Sequence, residues 1–281
     1  MVVEERTLVL GGGGVTGVAW ELGVLAGLAE VGLDPAAAET VIGTSAGSVV
    51  GALLRSGSAL EELYAGQLTD ASGEVADRVT GAVVARLGWA ALRGRDPVRA
   101  RVRIGRMALS ASTMPEPRRR AVIAARLGAD RWPVAPLRVT AVDAVSGEFV
   151  VFDRDSGVSL VDAVGASCAV PGVWPPVTIG ERRYIDGGMR SPVNADLARG
   201  ARRVLVLAPV TRGLGPIGRL RDQVTALRGA GARVVVVSPD GGARRAIGRN
   251  VLDPARRAAA ARAGRVHAVA VRDEVAAVWG G

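Results

Sequence analysis

The chain has 281 residues and 28.8 kDa, long enough to bury a sizeable core in one large domain or two small ones. With 49% hydrophobic and 22% charged residues it has the composition of a folded globular protein, which excludes intrinsic disorder. One cysteine, Cys168, and one histidine, His267, exclude an internal disulfide framework, cysteine-cluster metal sites and multi-histidine metal centres, and no cofactor is expected.

The net charge of +9 comes from 36 basic residues against 27 acidic ones, and every basic residue is arginine. Aromatic residues make up only 3%, too few for base-stacking platforms. The charge therefore reads as a chain-wide arginine bias, and no nucleic-acid partner is expected. The opening Met1-Val2-Val3-Glu4-Glu5-Arg6 is acidic and unlike a secretory signal. Residues 15–33 are apolar but carry Glu21, Glu30 and several glycines, so they read as a buried helix rather than a membrane span. A cytoplasmic protein is expected.

In chain order, Thr7-Leu8-Val9-Leu10 predicts a buried strand, followed by a glycine loop at 11–14 and a helix over 17–31. Thr40-Val41-Ile42 predicts a second strand, a tight turn at 43–47 and a small-residue helix over 48–54. This alternation is that of a parallel α/β sheet. Residues 58–127 are helical in pattern and carry Arg93, Arg95, Arg99, Arg101, Arg103 and Arg106, with Trp89 and Met107 alongside. That stretch reads either as a solvated arginine face or as a lid meeting anionic lipid head groups. A hairpin is expected over 137–142 and 148–152, a helix over 159–167, a proline-rich loop over 171–176 and a short strand over 183–185. Strands over 203–208 and 233–238 follow, and one domain over 1–281 is the simplest organisation.

Three features carry chemistry. Gly43-Thr44-Ser45-Ala46-Gly47 is Gly-x-Ser-x-Gly between a strand and a helix, the setting that lifts a serine nucleophile above a sheet edge. Gly12, Gly13, Gly14 and Gly17 form a glycine loop whose amides suit an oxyanion. The same loop satisfies Gly-x-Gly-x-x-Gly, which raises a dinucleotide-binding oxidoreductase as an alternative. Its ribose-binding acid would be Asp34, placed before the second strand instead of at its end. Asp186-Gly187-Gly188 ends the strand at 183–185 and reads as a turn or as a catalytic carboxylate.

Together, in this order, the three motifs resemble the patatin-like phospholipase family of bacterial type, as does Ala166-Ser167-Cys168-Ala169-Val170-Pro171-Gly172 before Asp186. The resemblance covers residues 7–200 well, with the helical stretch at 58–127 as an insertion and 201–281 completing the domain. It implies a three-layer α/β/α fold with a mainly parallel central sheet and a nucleophile elbow. It implies a serine acyl-ester hydrolase acting on phospholipids or lysophospholipids through an acyl-enzyme. Ser45 would be the nucleophile, Asp186 the general base, and amides of Gly12, Gly13 and Gly14 the oxyanion hole. Gly17, Gly43, Gly47, Gly187 and Gly188 would complete the motifs. The partner implied is a lipid or acyl-ester substrate, with peripheral contact at an anionic membrane surface.

The chain departs from the family pattern at Thr16, where a basic residue is common, and at Gly11, where Asp often stands. A non-catalytic lipid-binding or interaction module on the same fold is the alternative these departures leave. Ser45, Asp186 and His267 also stand in the order of an α/β-hydrolase triad. His267 nevertheless sits in Arg265-Val266-His267-Ala268-Val269 without loop signals, and the resemblance gives it no role, so a structural histidine is expected. Cys168 is expected to be a small buried residue.

Overall fold

Short apolar runs bounded by turn residues form the strands of an eight-stranded sheet. The computed structural model describes residues 6–69, 85, 87, 88, 90, 96–213 and 218–280. In chain order the strands are β1 (Arg6–Leu10), β2 (Thr40–Gly43), β3 (Leu137–Asp143), β4 (Phe149–Phe152), β5 (Val177–Ile179), β6 (Arg182–Asp186), β7 (Arg203–Leu207) and β8 (Arg233–Val237). The helices among the described residues are α1 (Gly14–Glu30), α2 (Ala46–Leu54), α3 (Leu60–Leu68), α4 (Pro97–Leu109), α5 (Glu116–Leu127), α6 (Leu160–Ser167), α7 (Leu220–Gly229), α8 (Gly241–Ile247) and α9 (Arg257–Trp279).

β8, β7, β1, β2 and β3 run parallel side by side, while β4 and β6 pair antiparallel with β3, and β5 pairs with β6. Strand alternation sends Leu8 and Leu10 to one face, where they pack with α1, α2, α3, α5, α6, α8 and α9. Val9, Ile42, Val204 and Val206 face the other way onto α7, and Val142 with Ile185 onto Ile104 and Ala108 of α4. A mainly parallel sheet is thus covered by helices on both faces, the three-layer α/β/α architecture.

One detail of register places the site. Val139 pairs with Gly43 and also with Phe152, and Ala141 pairs with Val150 and also with Asp186. A residue has only one partner on each edge, so β4 lies along one edge of β3, and β2 and β6 share the other. β2 leaves that edge at Gly43 and β6, running in the opposite direction, arrives on it at Asp186. The two strand ends therefore meet head to head.

The structure differs from the sequence expectations at several ends. α1 begins at Gly14 instead of residue 17, because the left-handed Gly14 (φ +62°) turns the glycine loop directly into the first helical turn. α2 likewise begins at Ala46 instead of 48, since the chain turns sharply at Ser45. β5 is too short, at three residues, to be legible beside the prolines that precede it. The 23-residue α9 carries its inward face on small residues, and this conceals its period. It crosses α1 at Gly23, Gly27 and Gly264, where a Cβ on Gly27 would lie 2.6 Å from that of Ala268.

The stretch over 58–127 contains α3, α4 and α5, whereas Trp89, Arg93 and Arg95 lie outside the described residues. Arg101 donates from Nε to the Gly147 carbonyl at 2.6 Å and Arg103 to that of Ala90 at 2.8 Å. These two arginines of the stretch therefore anchor α4 to its neighbours, leaving Arg99 and Arg106 exposed. No helix among the described residues is long and apolar enough to cross a membrane.

Candidate active site

Ser45 sits at the turn from β2 into α2 with φ 52° and ψ −115°, a backbone state that non-glycine residues rarely adopt. Its surroundings hold it there. The Ser45 amide donates to Ser167 Oγ at 2.8 Å, and the Ser45 carbonyl accepts from Ser48 Oγ at 2.6 Å and from Cys168 Sγ at 3.3 Å. Both backbone polar groups of the strained residue are thus satisfied by side chains of α2 and the end of α6. Gly43 and Gly47 flank it because α2 presses on the sheet: a Cβ at Gly47 would collide with the Leu10 carbonyl, and one at Gly43 would lie 2.5 Å from Ser48 Cα.

Asp186, at the end of β6, is 2% exposed and accepts at 2.7 Å on Oδ1 from the Gly188 amide. Burial pushes its pKa up to about 6, more than offsetting the nearby Ser45 side chain and the Gly188 amide, which favour the charged form. Gly187 is required by proximity as well, since a Cβ there would press on Thr140.

The glycine loop runs past Ser45, and a Cβ on Gly12 would lie 3.5 Å from that of Ser45. Its amides are not equivalent. The Gly11 amide donates to the Leu207 carbonyl at 2.9 Å and to Glu21 Oε1 at 3.0 Å, and the Gly12 amide to the Pro192 carbonyl at 2.7 Å. The Gly17 amide bonds to the Gly13 carbonyl at 2.8 Å inside the helix start. Among the described residues only the amides of Gly13 and Gly14 in this loop are left without an acceptor. Of the three amides expected to hold an oxyanion, the one on Gly12 is therefore already committed within the fold. Thr16, where the family often has a base, directs Oγ1 at the Val251 carbonyl at 3.2 Å.

A buried network that the motifs did not reveal ties these parts together. Asn194 Nδ2 reaches Thr44 Oγ1 at 3.1 Å, the Gly187 carbonyl at 3.3 Å and the Ser191 carbonyl at 2.9 Å, and Thr140 Oγ1 donates to Thr44 Oγ1 at 3.0 Å. Asn194, itself left-handed at φ 52°, so joins the elbow, β3 and the Asp186 turn. Nothing in its sequence spacing marks it; only the shared edge of β3 does.

Ser45, Asp186 and Gly12–Gly14 open on a cavity of about 210 Å³ whose other walls are largely apolar, including Leu87, Ile104, Val170, Met189 and Leu252. His267 is not among its lining residues; it is buried in α9 with its ring 6.1 Å from that of Trp20. Asp34 is an exposed cap on a short turn, accepting from the Ala36 amide at 3.0 Å, which leaves the dinucleotide reading without its acid. Cys168 is buried beside Ser45, and burial pushes its thiol up to about 11.

The profile of the family described as "Patatin-like phospholipase" matches residues 8–199, which takes in all three motifs. The chain belongs to the patatin-like phospholipase family. Membership supports lipid hydrolase activity in general terms. Among solved structures, this patatin-like chain is similar to VipD from Legionella pneumophila, at 15% identity and a TM-score of 0.50, over 96% of this chain and 67% of VipD. It is also similar to the type III effector ExoU, at 18% identity and a TM-score of 0.46, over 97% of this chain and 53% of ExoU. A complex of ExoU with SpcU from Pseudomonas aeruginosa aligns at 18% identity and a TM-score of 0.41, over 96% of this chain and 52% of the other. The chain thus spans about half to two thirds of these structures, and the likeness is one of fold. No curated protein sequence matches it.

Proposed function

We propose that the chain is a serine acyl-ester hydrolase acting on lipid esters, phospholipids or lysophospholipids, through a Ser45–Asp186 dyad. The observation that carries this reading is that the buried Asp186 carboxyl, its pKa raised to about 6, opens with Ser45 on one cavity. Asp186 takes the Ser45 proton as Oγ attacks the ester carbonyl. The oxyanion of the tetrahedral intermediate accepts from the open amides of Gly13 and Gly14. Collapse expels the alcohol, which leaves with the proton held by Asp186. Water, deprotonated in turn by Asp186, then hydrolyses the acyl-enzyme and releases the carboxylic acid. The apolar walls of the 210 Å³ cavity suit the acyl chain.

The test is hydrolysis of p-nitrophenyl butyrate and octanoate, with fluorophosphonate labelling, by wild type, Ser45→Ala, Asp186→Asn and His267→Ala. Turnover and labelling lost in the first two variants and kept in the third support the dyad. Loss in a folded His267→Ala would replace the dyad with a triad. A wild type that neither turns over nor labels would instead be a non-catalytic lipid-binding module.

A further inference from the structure

α9 has two unlike faces. Its inner face is built of small residues, with Ala261, Gly264 and Ala268 buried against α1. On the opposite side Ala259, Arg262, Val266, Val269, Asp273 and Ala276 follow one another at alternate spacings of three and four residues. That is the spacing of a coiled-coil seam, and its first five members are exposed to solvent. Val266 is 74% exposed and Val269 62%. Single exposed valines are ordinary on a protein surface, but these two stand one turn apart on a single seam flanked by alanines.

The seam is complementary to itself. The midpoint between Val266 and Val269 is also the midpoint between Arg262 and Asp273, and between Ala259 and Ala276. A second α9 laid antiparallel across this point by a two-fold axis therefore sets each Val266 against the Val269 of the other copy, and each Arg262 against its Asp273. In such a contact every pair occurs twice. A parallel arrangement would instead bring Arg262 onto Arg262 and Asp273 onto Asp273, so the charges select the antiparallel one. A slip of one heptad loses both ion pairs. The alanines at either end let the two helices approach to about 8 Å. Asp273 already pairs with Arg272 of its own helix at 2.9 Å, an exposed contact that leaves it open to a second arginine.

We infer that the outer face of α9 joins two copies of this chain into an antiparallel, two-fold dimer, with Val266 and Val269 at its centre and Arg262 paired to Asp273 on either side. The contact does not depend on the Ser45 reading, since no residue of α9 lines the cavity at Ser45. A helix of 23 residues is about 34 Å long at 1.5 Å per residue. Two such helices bury less than the roughly 1,200 Å² at which stable interfaces begin, so the dimer is weak and reversible.

Sedimentation velocity of the full chain between about 5 and about 500 µM is expected to show a monomer–dimer equilibrium with a Kd of about 10–100 µM. Val266→Arg and the charge reversals Arg262→Asp and Asp273→Arg are each expected to weaken it by at least about tenfold. All three replace exposed side chains, and circular dichroism with urea unfolding checks that the variants keep the fold. The decisive measurement mixes Arg262→Asp with Asp273→Arg. Only in their heterodimer are both cross pairs opposite in charge again, so the mixture is expected to regain an affinity close to that of wild type. A wild type that stays monomeric at about 500 µM overturns the inference. So does a dimer that Val266→Arg leaves unchanged, or a mixture that associates no better than either variant alone. A monomeric wild type that floats with phosphatidylglycerol vesicles, and loses this with Val266→Arg, would give the face to lipid and overturn the dimer as well.

Discussion

Ser45 and Asp186 line one cavity although the two residues are 141 positions apart and stand at the ends of strands that run in opposite directions along one edge of β3. The pairing of Gly43 with Val139 and of Asp186 with Ala141 sets their separation through the sheet rather than through a loop. A pair of side chains placed this way is held as rigidly as the sheet beneath it.

The first prediction concerns pH. With its pKa raised to about 6, Asp186 is charged, and able to act as a base, above that pH. The kcat/KM of wild type is expected to fall about tenfold per unit below pH 6 and to level off above about pH 7. A profile still flat at pH 5 would remove Asp186 as the base.

The same group makes a stability prediction of opposite sense. Its folded pKa lies above the unfolded value near 3.8, so the folded state binds the proton more tightly. Stability from this group is full below about pH 4 and is lost as pH rises through about 6. Asp186→Asn removes that loss, and at pH 7.5 the variant is expected to be inactive yet more stable by about 1–3 kcal/mol, read by urea denaturation.

Glu21 is fully buried in α1, with Oε1 on the Gly11 amide at 3.0 Å and Oε2 without a hydrogen-bond partner. Burial raises its pKa well above 4.5. By the same sign, its ionisation weakens the fold as pH rises through that raised value. Glu21→Gln keeps an acceptor for Gly11, and its stability relative to wild type is expected to grow as pH rises above the ordinary carboxylate range. A constant difference over that rise would show that Glu21 does not titrate with folding.

Asn194→Ala deletes a donor shared among Thr44, Gly187 and Ser191. The expected cost is about 2–3 kcal/mol of stability and at least about tenfold in kcat, with little change in KM, because the network positions Ser45 and Asp186 and does not touch substrate. Equal kcat in the folded variant would confine Asn194 to stability.

Cys168 is buried, and its thiol is pushed up to about 11. The native protein is expected to resist iodoacetamide at pH 7.5 and to react with one equivalent once unfolded in urea. Rapid native labelling would show that α6 opens beside Ser45.

The sequence alone determined the parts whose cause is local. A short apolar run that stops at a glycine, such as Leu8-Val9-Leu10 before Gly11, reads as a buried strand, and a serine between Gly43 and Gly47 at a strand–helix junction needs small neighbours wherever it is found. The motifs at Gly12–Gly17, Ser45 and Asp186, and the family they resemble, were legible for that reason. Tertiary structure decided everything that depends on which surfaces meet. It committed the Gly12 amide to Pro192, enlisted Ser167 and Cys168 to hold a strained Ser45, brought Asn194 to Thr44, and set Arg119 on Trp174. It also hid α9 from the sequence pattern, because glycine and alanine bury a helix by letting it come close rather than by being strongly apolar. Hydrogen bonds and close approaches between distant segments leave no periodicity along the chain. They exist only once the sheet has brought those segments side by side.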